Sequence, residues 1–143
     1  MPSTPVPKWP LFAFLIFSFI GFVDASYLSA KFYIGSPVNC AIFQGCETVT
    51  SSNFAVIAGV PIALAGAIYY LVIFFLALFY LDSGRKAALV TATYIITVGF
   101  IVSLALLYIQ LAILKAVCLY CLVSLVTSTA LSISGLFLLK YKQ

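Results

Sequence analysis

The sequence predicts an all-α integral membrane protein, a bundle of four membrane-spanning helices with one long loop. Composition is the first reason. Of 143 residues, 65% are hydrophobic and only 7% are charged, whereas a soluble domain carries about 25% charged residues. Such a chain cannot cover itself with a water-soluble surface, so lipid must be its main solvent. Segment length is the second reason. Four apolar runs each reach the roughly 20 residues that a helix needs to cross the hydrocarbon core at ~1.5 Å per residue. The third is the placement of the seven Lys and Arg residues near the ends of those runs, where membrane topology is decided.

Residues 1–10, MPSTPVPKWP, form an extended lead that ends with Trp9 at an interface and Pro10 at a helix start. The first span covers about 11–33 and is interrupted only by Asp24 and Lys31. Its opening, LFAFLIFSFIGFV, also resembles a signal-peptide core, with VDAS as a small-residue cleavage site. The apolar character continues past that site, which favours a retained span. Residues 34–55 are far more polar, with Gly35, Pro37, Asn39, Gly45 and Asn53, and read as the long loop. The second span covers about 56–81, with Pro61 in its first turn or two. DSGRK (82–86) is a tight turn between antiparallel helices. The third span covers about 87–114 and the fourth about 117–139, leaving only Lys115 and Ala116 between them. No internal repeat or second domain is visible, so residues 1–143 read as one domain.

Lys8, Arg85, Lys86, Lys140 and Lys142 fall on one side of this arrangement, and Lys31 and Lys115 on the other. The positive-inside rule then puts both termini in the cytoplasm. The long loop and all four cysteines lie on the outer side of a multi-pass cell-membrane protein.

The chain has no His, which removes His-based general-base catalysis, metal ligation and haem ligation. Its net charge of +4 comes without any basic stripe, so nucleic acid is not the expected partner; membrane lipid is. Cysteine is the most obvious reactive side chain left. Cys118 and Cys121 stand three apart at the head of the last span, while Cys40 and Cys46 lie in the loop. For the loop pair alone, a structural disulfide staple is the simpler reading. For Cys118-Leu119-Tyr120-Cys121 the spacing is that of a redox dithiol. A helix N-terminus, with Lys115 nearby, would stabilise a thiolate. A four-cysteine zinc site fits the spacing only weakly, and a membrane bundle does not need that kind of staple. A redox relay accounts for both pairs together. The loop pair would meet a soluble partner and the helix pair a lipid-soluble two-electron acceptor, for which a quinone is the natural candidate.

These features together resemble the vitamin K epoxide reductase family in its stand-alone microbial form. The likeness rests on the loop pair Cys40 and Cys46, on Val49 and Ser52 following Cys46, on GVPIALAGAIYY leading into a helix, and on the final Cys118/Cys121 pair. The resemblance implies a short capping helix in the outer loop, with Ser52 on it near the active site. It implies electrons running from a separate thioredoxin-fold protein to Cys40, then Cys46, then Cys118. Cys121 would face a quinone of ubiquinone or menaquinone type. Animal members hold the quinone ring with an Asn and a Tyr; the matching positions here are Ile62 and Leu125. Apolar residues there imply simple quinone reduction rather than epoxide turnover. The chain ends four residues past the last span, at Gln143, so the thioredoxin-fold partner is expected as a separate protein, and the protein itself as a monomer.

The bacterial four-helix oxidase that recharges periplasmic thiol oxidants has its Cys-x-x-Cys before its loop pair, the reverse of the order here. A non-enzymatic scaffold or small transporter with structural disulfides is the alternative from another class. Asp24, the only support for that alternative, reads first as a carboxylate close enough to the outer interface to hydrate, and second as a proton route. Gln110 is expected to hydrogen-bond between helices, and Gly59, Gly66 and Gly99 to allow close helix contact.

Overall fold

Four long helices make up most of the described chain. The computed structural model describes residues 8–35 and 56–142. In chain order, α1 is Lys8–Ile34, β1 Val56–Ile57, β2 Val60–Pro61, α2 Ile62–Ser83 and α3 Lys86–Tyr108; a π-helical turn follows at Ile109–Leu114, and α4 is Leu119–Lys142. The spans of 27, 22, 29 and 23 residues, with the π-turn counted into the third, are each long and apolar enough to cross a membrane. The expected loop helix, together with Cys40, Cys46 and Ser52, lies outside the described residues.

Lipid supplies no hydrogen-bond partners, so each span must satisfy its own backbone, and helices do this within one segment. The outward faces carry large exposed apolar residues such as Phe75, Tyr94, Ile101, Val126 and Ile133, as lipid contact requires. The buried faces recur at helical spacing: Phe14, Ser18, Gly21 and Ala25 on α1; Ala67, Tyr70, Ile73, Ala77 and Tyr80 on α2. Helix α1 packs against α2 and α4, and α3 closes the bundle against α4 and α2.

The second span starts later than its apolar pattern suggests. Val56–Pro61 is a small antiparallel hairpin pairing Val56 with Pro61 and Ile57 with Val60. Its two turn residues, Ala58 (φ 54°) and Gly59 (φ 81°), are both left-handed, as a two-residue hairpin turn demands. The Gly59 expectation is therefore corrected. A Cβ on Gly59 would meet nothing within 4 Å, so this glycine serves the turn and not a helix contact.

Gly99 does serve close packing, since a Cβ there would run into the Tyr69 ring. Gly66 is milder, its Cβ position lying an ordinary 3.6 Å from Ala25. The tightest contact with Tyr70 is at Gly21, where any Cβ would overlap the ring. That ring threads past α1 and delivers its hydroxyl to α4. There it donates to the Ser124 carbonyl (3.0 Å) and shares hydrogen bonds with the Ser124, Thr127 and Ser128 hydroxyls at 2.9–3.0 Å. Three helices are thus tied at one buried point.

Two substitutions separate these contributions. Tyr70→Phe removes the hydroxyl, yet Thr127 keeps its bond to the Ser124 carbonyl at 2.8 Å, so the expected loss is about 1 kcal/mol. Gly21→Val drives a side chain into a pinned ring and should cost more, about 1–3 kcal/mol. Thermal unfolding in detergent should rank the two melting temperatures in that order.

Candidate active site

The third and fourth spans are joined by a turn that one residue holds closed. At the end of α3 the chain widens into the π-turn, and Lys115 closes it in the left-handed conformation (φ 52°). Non-glycine residues rarely adopt that conformation. The Gln110 carbonyl accepts the N–H groups of Lys115 and Ala116, the latter at 3.0 Å. The Gln110 side chain, only 3% exposed, accepts the Cys118 N–H through Oε1 at 3.1 Å. The expected interhelical bond from Gln110 is therefore present, and it lands on the backbone of the dithiol. Single-turn π-helical insertions often mark functional sites.

Cys118 precedes α4 at the N-cap position and is fully buried. Its sulfur faces the N–H groups of Tyr120 and Cys121, as the oxygen of a serine cap would. Cys121 lies one turn on, half-buried and packed against Cys118. Both cysteines are free thiols. Donors aimed at sulfur favour negative charge there while a thiol is attacking or leaving. Lys115 is exposed, and the N–H groups of Tyr120 and Cys121 favour a thiolate at Cys118.

Around the pair, Leu28, Leu114, Ala116, Leu119 and Tyr120 form an apolar packet. The Tyr120 ring meets the Tyr27 ring at 5.2 Å between centroids. Asp24 is the residue whose placement the sequence misjudged. It is 9% exposed, so it is buried rather than hydrated at an interface. Tyr27 and Leu28, one turn further along α1, pack against Tyr120 and Cys118, so Asp24 lies on the face of α1 that meets the head of α4. An ionisable group inside a span was the available signal; nothing in the sequence said that α1 turns it toward the dithiol.

Of the other residues singled out by resemblance, Ile62 begins α2 and Leu125 lies one turn beyond Cys121 on α4, both half-buried. Among the described residues, no cluster of His, Cys, Asp or Glu could hold a metal ion.

A dithiol at one end of a four-helix bundle of membrane-spanning length, one cysteine buried and the other half-buried, points to a membrane protein with thiol chemistry. The model of the vitamin K epoxide reductase family matches residues 12–136, and the chain belongs to that family. It is therefore a membrane oxidoreductase, of a family that uses quinones and typically works with a thioredoxin-like partner. No curated protein matches the chain in sequence.

The residues present suit a quinone. Cys121 is half-buried in apolar surroundings, and the Asp24 carboxyl, whose buried Oδ2 has no hydrogen-bond partner among the described residues, would when protonated have a donor to offer a quinone oxygen.

Gln110→Leu tests the clamp. It leaves the Cys118 N–H buried and unpaired, at a cost of about 1–3 kcal/mol. Alkylation of Cys118 by a small reagent should become faster as the turn opens, whereas Gln110→Glu should preserve its slow rate.

Proposed function

We propose that this protein is a quinone-dependent thiol–disulfide oxidoreductase that supports disulfide formation outside the cytoplasm. The observation that carries the proposal is the Cys118–Cys121 dithiol at the head of α4, with Cys118 fully buried, Cys121 half-buried and apolar side chains around both. A soluble thiol enzyme would keep such a pair exposed to its partner. Here the pair faces apolar surroundings, which suits an acceptor dissolved in the bilayer.

In the proposed relay, a reduced thioredoxin-fold protein attacks a Cys40–Cys46 disulfide. The freed Cys46 thiolate attacks Cys118 of the oxidised helix pair, and Cys121 leaves as a thiolate. The Tyr120 and Cys121 N–H groups and the Gln110 amide hold both sulfurs in line for this exchange. Cys121 is the sulfur that faces the acceptor, with Ile62 and Leu125 lining its site and Ser52 near it. When bound, a ubiquinone- or menaquinone-type quinone supplies the capacity to take up two electrons. Because Ile62 and Leu125 are apolar, no side chain at those positions donates a hydrogen bond to an epoxide oxygen, which favours simple quinone reduction. The cation distribution supports cytoplasmic termini, with the cysteines on the outer side.

The purified protein should reduce a short-chain quinone with a small dithiol as electron source, and Cys121→Ala should abolish this. Cys40→Ala should keep the small-dithiol activity but lose turnover driven by a thioredoxin-fold substrate. Full quinone reduction by Cys121→Ala would refute the assignment of the helix pair.

A further inference from the structure

Asp24 has no role in the relay above, yet its position is unusual. It sits on α1 at 9% exposure, and its Oδ2 has no hydrogen-bond partner among the described residues. A buried carboxyl oxygen without a donor is costly in apolar surroundings. The neighbours of Asp24 one turn on fix the face it occupies: Leu28 packs against Cys118 and the Tyr27 ring meets the Tyr120 ring at 5.2 Å, so Asp24, at i−4 and i−3 from them, lies on the side of α1 that meets the head of α4, whose titratable groups are Cys118, Tyr120 and Cys121. From α2, Gly66 comes against the neighbouring Ala25 and brings no charge. From the π-turn comes Gln110, which is neutral and already engaged with Cys118. On its own helix the next charge is Lys31, seven residues on, whose Nζ lies 5.6 Å from the centre of the Tyr27 ring. A carboxyl group with one buried, unpartnered oxygen therefore lies on the helix face that meets two thiols, among apolar neighbours.

Thiol oxidation creates a demand that this arrangement meets. Closing the Cys118–Cys121 bond breaks two S–H bonds, forms one S–S bond, sends an electron pair to the quinone and releases two protons. In bulk water those protons would go to solvent; in an apolar pocket they need a carrier. We propose that Asp24 is the proton acceptor of the dithiol. Its carboxylate takes one proton as the S–S bond forms and gives it up to the reduced acceptor, returning to carboxylate. The second proton passes to the acceptor from the other thiol, which completes the quinol. The proposal rests on the redox reading of the pair and adds to it the route of one proton.

Two readouts test it. In the first, reduced full-length protein in lipid nanodiscs is alkylated with iodoacetamide across a pH series, without quinone, and Cys121 modification is followed by mass spectrometry. The wild type should show two steps in rate against pH, one from the carboxyl and one from the thiols. Asp24→Asn should show the thiol step alone, and Asp24→Glu should keep both with the acid-side step moved. In the second, Asp24→Asn should lower the kcat for quinone reduction by about a hundredfold, with KM for the quinone within about twofold, and Asp24→Glu should recover most of it. Alkylation profiles that coincide for wild type and Asp24→Asn, or for wild type and Asp24→Glu should the Asn variant fail to assemble, would overturn the proposal. A wild type that shows the two-step profile but reduces no quinone would count against the quinone reading alone and leave the Asp24–dithiol pairing standing.

Discussion

The hydrogen bond from the Cys118 N–H to the Gln110 side chain is the interaction on which the site depends. Helix α3 must end and α4 begin within four residues, Lys115 to Cys118, and buried backbone groups there need partners of their own. The π-turn resolves this by letting Gln110 act twice, its carbonyl closing the turn and its amide group capping the start of the next helix. Cys118 is thereby fixed at the N-cap, before the free N–H groups of the first turn of α4, with Cys121 one turn below it. The strain of a left-handed Lys115 is tolerated because the surrounding hydrogen bonds determine the turn.

The rest of the bundle keeps that end rigid. Helices in a membrane gain little from hydrophobic association, so they depend on close approach and polar ties. Gly21 and Gly99 admit the rings of Tyr70 and Tyr69, and the Tyr70 hydroxyl ties α2 to three side chains of α4 just below the dithiol. Helix α1, pressed into the same seam, carries Asp24 toward the cysteines. The packing of small against large residues therefore also sets the electrostatics of the site.

The number, order and approximate ends of the spans were legible in the sequence because lipid leaves so few backbone solutions. The Cys118/Cys121 pair was visible as a dithiol spacing, and the structure sets both cysteines at the head of α4. The start of α2 was missed by six residues because Val56–Pro61 is as apolar as a span, and only the left-handed pair Ala58 and Gly59 reveals the hairpin. The π-turn was invisible because no residue type marks it; Gln110 could be read as a hydrogen-bonding residue but not as a clamp on a particular N–H. Asp24 was misjudged for a related reason. Whether an intramembrane carboxylate meets water or a thiol depends on how its helix is rotated, and α1 is apolar on nearly every face.

The most direct measurement of the central claim is a single-turnover oxidation. Fully reduced protein is mixed anaerobically with one equivalent of a short-chain quinone; quinol is followed by absorbance and disulfides are then mapped by mass spectrometry. One quinol per protein, with a disulfide linking Cys118 to Cys121, is the predicted result. Quinone left unreduced while both thiols remain free would contradict a dithiol that delivers its electrons into the membrane.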